Sequence, residues 1–286
     1  MTFATRKKLL NTTRYLVLAA VSIILIYPLL WLVAGIFREN HEIFTSSGLI
    51  PQNPINPVET IQNAWTTRTR LTLGQGFLNT MRFLIPRVIG QVVSTVITAY
   101  AITRFQFKGK KIVFSLVIAT LLMPDVIFRI PLFMLYQDLN LFGTYVPLWI
   151  ENALATGSFF VFMLVQFMRG IPRELDEAAK IDGCNSLQTL VLVLLPVMKP
   201  AIITVALLTF MWGMNDFLGP LIYIRDSEMW VLQQVLRQAS DMSGQGGILF
   251  REVFAMSVIS LIPAITLFFA AQRYFIDGIA STGSKE

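Results

Sequence analysis

Few side chains in this 286-residue chain could make or break bonds. His41 is the only histidine and Cys184 the only cysteine. One of each removes disulfide frameworks, multi-cysteine metal sites and most acid–base chemistry. There is no Gly-x-Ser-x-Gly elbow for an acyl-transfer nucleophile and no Gly-x-x-x-x-Gly-Lys-Ser/Thr loop for a nucleotide phosphate. The notable side chains are instead charges in unusual places. Between two long apolar runs, the stretch Glu174–Ser186 reads ELDEAAKIDGCNS and crowds together Glu174, Asp176, Glu177, Lys180 and Asp182. Inside apolar runs, Arg87, Asp125, Arg129, Glu151 and Asp216 stand nearly alone. A charge in hydrocarbon is costly, so each marks either a pair between helices or the wall of a polar passage.

The elements that must position these charges are membrane spans. The chain is 55% hydrophobic and 14% charged, against about 25% charged in an ordinary soluble domain. The apolar runs cover the whole length, so an all-α integral membrane protein is expected, because lipid leaves no partner for open backbone. Six transmembrane helices are predicted: Leu16–Phe37, Phe83–Thr103, Ile112–Tyr136, Val146–Met168, Ala201–Ile224 and Val253–Ala271. The first run follows basic residues but lacks a small-residue cleavage pattern, so it reads as a retained span.

Lysine and arginine in the short loops set the orientation. They gather before span 1 (Arg6, Lys7, Lys8, Arg14), after span 2 (Arg104, Lys108, Lys110, Lys111) and after span 4 (Arg169, Arg173, Lys180, Lys199), while Gln137–Tyr145 has none. Both termini are therefore expected in the cytoplasm, as an N-terminal tail 1–15 and a C-terminal tail 272–286, with the loop 170–200 on the same side. The net charge of +6 is read as this asymmetry, not as nucleic-acid binding. The loops Glu39–Phe77 and Arg225–Arg251 lie outside; the second contains the flexible stretch Ser243–Gly247. No internal repeat is visible, which weighs against inverted-repeat secondary transporters.

Counting along the helices from their cytoplasmic ends places Asp125 and Asp216 about 20 Å deep, in the outer half with Arg87, Arg129 and Glu151. Asp125 and Arg129 are spaced i, i+4, so they can pair. Trp149, Phe160, Trp212 and Tyr223, with Asn215 beside Asp216, could face a passage, although aromatic residues in spans more often pack or form interface belts. Pro124 and Pro131 are expected to interrupt span 3, and Gly219–Pro220 span 5.

The charged stretch reads as a helix–turn–helix outside the membrane. Acids come first and Lys180 last, as the helix dipole favours. Leu175, Ala178, Ala179 and Asp182 fall on one small-residue face, Gly183 is placed as a stop, and Asn185 or Ser186 can cap a second helix that Pro196 and Pro200 end. Lying on lipid headgroups is one role for such a loop. An acidic rim is repelled by anionic lipid, however, and suits a groove in a protein.

The stretch EAAKIDGCNSLQTLVLVLLPVMKP resembles the signature of binding-protein-dependent ABC importer permeases through Glu177, Ala178, Ala179, Gly183, Leu195 and Pro196. FMWGMNDFLGPLIYI (210–224) and AQRYFIDGIASTGSKE (271–286) resemble the sugar-uptake branch, nearest the six-span G-type subunit of maltose-type pairs. Cys184 stands where that family often has alanine, and Glu286 where glycine is common. The resemblance implies one transmembrane domain over 1–286. It implies a coupling element at 170–200 that docks in an ATPase cleft, with Glu177 facing a basic residue there. It implies a second permease subunit, two ATP-binding subunits that carry ATP and Mg, an extracytoplasmic solute-binding protein reached by the outer loop around Ser243–Gly247, and a carbohydrate, expected to be an oligosaccharide, held mainly by the partner permease. No cofactor and no enzymatic activity are expected of this chain itself. Another polar solute, such as a sugar phosphate or polyol, is the alternative substrate. A secondary transporter driven by an ion gradient is the alternative class, and it would leave the Glu177–Pro196 pattern unexplained.

Overall fold

The computed structural model describes residues 3–46, 48–66, 70–243 and 247–283, with side chains between 11 and 273. The described residues are helical and contain no strand. In chain order the helices are α1 (Phe3–Gly35), α2 (Glu42–Thr45), α3 (Pro57–Thr66), α4 (Leu73–Arg104), α5 (Lys110–Leu121), α6 (Val126–Asp138), α7 (Ile150–Ala153), α8 (Ser158–Arg169), α9 (Glu174–Ile181), α10 (Ser186–Gln188), α11 (Leu195–Met214), α12 (Leu218–Tyr223), α13 (Leu232–Ser243) and α14 (Phe250–Gly283). Five helical stretches are long and apolar enough to cross a bilayer: Asn11–Gly35, Leu73–Arg104, Ile150–Arg169, Ser186–Met214 and Phe250–Arg273. The α5–α6 pair is a sixth if it counts as one span. The chain is a multi-pass membrane protein.

Four expectations change. Span 3 is not straight: α5 and α6 meet at 106°. Pro124 lies in the break, while Pro131 sits inside α6 and interrupts nothing. Span 5 breaks at Asn215–Phe217, ahead of Gly219–Pro220, which are part of α12. Pro196 and Pro200 do not end the helix after the charged stretch. It runs from Ser186 to Met214 through a widened π-type turn at Thr189–Leu194, with Pro196 at the start of α11 and Pro200 inside it. Finally, α1 begins at Phe3, within the segment read as a tail.

The chain packs as two compact units, 1–73 with 236–261 and 74–235 with 262–286. In the first, α1 meets α14 where Gly35 has no side chain: a Cβ there would strike the Phe254 ring. Trp31 packs on the same ring at 5.3 Å. After α1 the chain folds around Arg38 and Glu42, which are fully and almost fully buried. Arg38 donates to the carbonyls of Ser46 (3.1 Å) and Gly48, and Glu42 accepts the Gln52 N–H at 2.6 Å. Asn63 reaches Glu252 at 3.2 Å, and Asn40 accepts the Phe250 N–H at 2.7 Å.

In the second unit, Val96, Ala99 and Thr103 form one face of α4 at i, i+3 and i+7. They pack with Val161, Leu164, Val165 and Met168 of α8 and with Met198, Ala201 and Val205 of α11. With lipid tails as apolar as leucine, close contact and hydrogen bonds must hold such helices together. Gly90 meets the backbone of Ala153. Gln91, fully buried, accepts from Asn152 (2.7 Å) and donates to Thr95 (2.6 Å).

The loop after span 5 holds an element that the turn signals concealed. Val231, Leu232, Val235 and Ala239 are buried at helical spacing, opening α13. The first turns of α4, which start ten residues before the expected span, pack there. Thr80 Oγ1 accepts the Leu232 N–H at 2.9 Å, and Asn79 donates to Glu228 (2.8 Å) and Trp230 (2.9 Å). Gly244–Gly246, the centre of the expected flexible stretch, lie outside the described residues.

Candidate functional site

Two groups of charges stand out, both in the second unit. The first is the exposed knuckle formed by α9, its turn and α10. Arg173 is the N-cap of α9, one residue after Pro172, and its carbonyl accepts the Asp176 and Glu177 N–H groups at 2.9 and 3.1 Å. At the other end Gly183 takes φ +83°, the left-handed conformation that glycine adopts without cost. Its N–H goes to Lys180 O (3.0 Å) and that of Cys184 to Ala179 O (2.9 Å), the paired bonds of a Schellman motif. Asn185 and Gln188 then form a capping box at 2.8 and 2.9 Å. The turn is therefore rigid, its backbone groups bonded locally.

The knuckle is tied to the last turns of α4. Arg104 Nε lies 3.0 Å from Asp176 Oδ2. The two atoms attract as charges but are off the hydrogen-bonding direction. Arg104 also donates to Ile171 O (3.1 Å), Arg173 to Thr103 O (3.2 Å), and Tyr100 Oη to Ser186 O (2.9 Å). Ala179 is buried; Leu175, Ala178 and Asp182, expected on the same docked face, are exposed. What faces outward is an apolar tip, Ile181 at 86% and Leu187 at 68% exposure, flanked by Glu177 and Asp182. Leu195 and Pro196 are not at this tip; they lie about 13 Å along the helix from Ser186. The anchoring residues Tyr100 and Arg104 escaped the sequence reading. Arg104 stood out only as a loop cation, because nothing in the sequence near it points to the acidic stretch far along the chain.

The second group is the polar cluster. Arg87 Nη1 pairs with Asp216 Oδ2 at 3.0 Å, the side chains 18% and 19% exposed. The other carboxylate oxygen of Asp216 accepts the Gly219 N–H at 3.0 Å, so Asp216 both caps α12 and holds Arg87. Glu151 accepts from Tyr136 Oη at 2.9 Å and lies within electrostatic reach of Arg87, Arg129 and Asp125. The expected Asp125–Arg129 pair does not form. The break before α6 leaves Asp125 exposed ahead of the helix, and the buried Arg129 Nε has no hydrogen-bond partner. Asn215 bonds back to Met211 O at 2.8 Å. Trp212 is half exposed over Phe159 and Phe160. Phe160 and Tyr223 are buried and offer no face to a solute, and Trp149 is partly buried.

A double-mutant cycle tests the pair the structure does form. Arg87→Gln or Asp216→Asn alone should cut the yield of membrane-inserted protein, since either leaves a largely buried lone charge at a cost of about 3–5 kcal/mol. The double change should be milder than the sum; strictly additive losses would mean that the two do not interact.

These features define the class: a helical, multi-pass membrane protein with a rigid exposed knuckle and a charged break within its spans. Residues 91–281 match the model of the binding-protein-dependent transport system inner membrane component, and the chain belongs to that family. It is 28% identical to the galactooligosaccharides transport system permease protein GanQ of Bacillus subtilis, over 95% of this chain and 94% of that one. It is 30% identical to the arabinooligosaccharides transport system permease protein AraQ of Halalkalibacterium halodurans, over 93% and 94%. A chain from the crystal structure of a bacterial ABC transporter that imports the acidic polysaccharide alginate shares the fold, with a TM-score of 0.81 at 20% identity over 96% of this chain and 99% of that one.

Proposed function

We propose that the chain is one transmembrane permease subunit of an ATP-driven importer of carbohydrates, with oligosaccharides as the substrate class. It crosses the membrane six times, the α5–α6 pair counting as one broken span, with both termini and the knuckle in the cytoplasm. It works with a second permease subunit, two ATP-binding subunits that carry ATP and Mg, and an extracytoplasmic solute-binding protein; the chain itself takes no cofactor and hydrolyses nothing. The knuckle docks in the ATPase cleft through Ile181 and Leu187, with Glu177 and Asp182 toward basic groups.

The observation that carries this reading is the mechanical continuity of the knuckle with the polar cluster. The helix from Ser186 to Met214 has 29 residues, roughly 40 Å of rod. It starts at the capping box and ends at the break that Asp216 caps. A push on the knuckle moves the rod that leads to Asp216 and, through its pair with Arg87 of α4, the wall of a passage between inward and outward states. Membership of the family and the oligosaccharide permeases among the relatives support the substrate class.

Proteoliposomes holding the complete transporter should take up oligosaccharide only with external binding protein and internal ATP, and should continue when the proton gradient is collapsed. Uptake that follows the proton gradient and ignores ATP would defeat the proposal. The topology has its own test. In a Cys184→Ser background, His41→Cys should react with an impermeant thiol reagent only from outside, and Lys108→Cys only from the cytoplasm. External labelling of Lys108→Cys would overturn the orientation.

A further inference from the structure

We propose that the cavity where α4, α8 and α9 meet binds the phosphate of an anionic phospholipid headgroup. The proposal rests on the orientation given above. The cavity has a volume of about 510 Å³, and its lining includes Thr103, Arg104, Arg169, Ile171, Arg173 and Glu174. Of its three arginines, Arg104 is matched by Asp176. Among the described residues the other two have no carboxylate partner. The Arg169 guanidinium sits 4.5 Å from the centre of the Phe114 ring, with no hydrogen bond or ion pair among the described residues. Arg173 spends one N–H on Thr103 O, leaving the rest of its fork for an oxyanion. The exposed Glu174 carboxylate at the rim offsets only part of this charge.

Position selects a lipid. The membrane-spanning stretches of α4 and α8 end at Arg104 and Arg169, so the cavity lies at headgroup depth, where basic residues meet anionic lipid. Phe114 belongs to α5, which buries none of its residues and exposes Ile112 and Leu116. Acyl chains can lie along that apolar side while the phosphate enters between Arg169 and Arg173. Exposed Phe105 and Phe107 and the exposed cation Lys111 stand on the neighbouring loop and first turn, the mixture of aromatic and basic groups found at membrane interfaces. The ATPase is a poorer occupant. A cleft that accepts the acidic knuckle is itself basic and would repel these arginines.

The test is native mass spectrometry of the assembled transporter in mild detergent, titrated separately with phosphatidylglycerol and phosphatidylcholine. Wild type should retain phosphatidylglycerol preferentially. Arg169→Gln should weaken that retention about fivefold and Arg169→Gln with Arg173→Gln further, as expected for cations at a lipid surface. Arg169→Lys, which keeps the charge, should hold most of the preference. Equal retention of the two lipids by wild type, unchanged phosphatidylglycerol binding in the double variant, or displacement of the lipid by millimolar inorganic phosphate would overturn the proposal. So would loss of the ATPase from Arg169→Gln with lipid binding intact, which would give the surface to that partner. Thiol labelling of Lys108→Cys from outside would instead sink the orientation beneath the proposal, so the two failures are distinguishable.

Discussion

Replacing Arg38 with methionine should leave little folded subunit in the membrane. Arg38 is completely buried in the first unit, just past the end of α1, with its cationic head among backbone carbonyls. Glu42, 3% exposed, lies at 4.0 Å, a loose pair in which Arg38 Nε and Glu42 Oε2 each lack a hydrogen bond. The arginine therefore acts mainly by satisfying Ser46 and Gly48 while cancelling the Glu42 charge. Methionine fills a similar volume but does neither. A buried charge left alone costs about 3–5 kcal/mol, and each orphaned carbonyl about 1–3 kcal/mol more. That sum is comparable to the whole stability of a domain. The measurements are the yield of membrane-inserted protein and the melting temperature in detergent, with Arg38→Met and Glu42→Leu combined as the control. The double variant should recover part of the loss, because its remaining deficit is two carbonyls and the Gln52 N–H, and not a charge. An Arg38→Met protein as abundant and as heat-stable as wild type would mean that the loop does not depend on this contact.

Arg38 also shows where the sequence stops being informative. Its charge was legible, but nothing local says that it turns inward, because the carbonyls it binds are eight and ten residues on. The same limit applied to Arg87 and Asp216. Depth counting put both in one half of the membrane, yet their partnership spans 129 positions and had no local mark. The i, i+4 rule offered Asp125–Arg129 instead, and it fails where the helix is broken. Prolines misled for a related reason. Pro124 stands at a true break, whereas Pro131, Pro196 and Pro200 lie within helices that continue past them. The knuckle, in contrast, is governed by local rules. Acids near the start of α9, a glycine past its end and an Asn–Gln pair at positions 185 and 188 each solve a backbone problem within six residues, so its shape was readable from the residues alone. α13 was readable too, since its buried positions repeat at helical spacing, but the glycines after it drew the segment toward a loop.

The knuckle yields the sharpest functional expectation. Because a Cβ at Gly183 would meet nothing within 4 Å, substitutions there act only through the backbone, and their order follows from the cost of a positive φ. Asparagine visits that region readily, alanine costs about 1–2 kcal/mol, and a β-branched residue costs more. Uptake should therefore fall in the order Gly183→Asn, Gly183→Ala, Gly183→Val, with valine near background, because breaking the turn redirects the start of the rod. Glu177 is exposed and has no partner within the described chain, so Glu177→Lys changes only what the knuckle offers to another protein. It should leave the subunit inserted, weaken co-purification of the ATPase, and lower binding-protein-stimulated ATP hydrolysis and uptake together. Reversing the facing basic residue of the ATPase should restore part of both activities. A Gly183 series that does not follow backbone cost would mean that the turn is not the transmitting element, and an ATPase held as firmly by Glu177→Lys as by wild type would place the docking surface elsewhere.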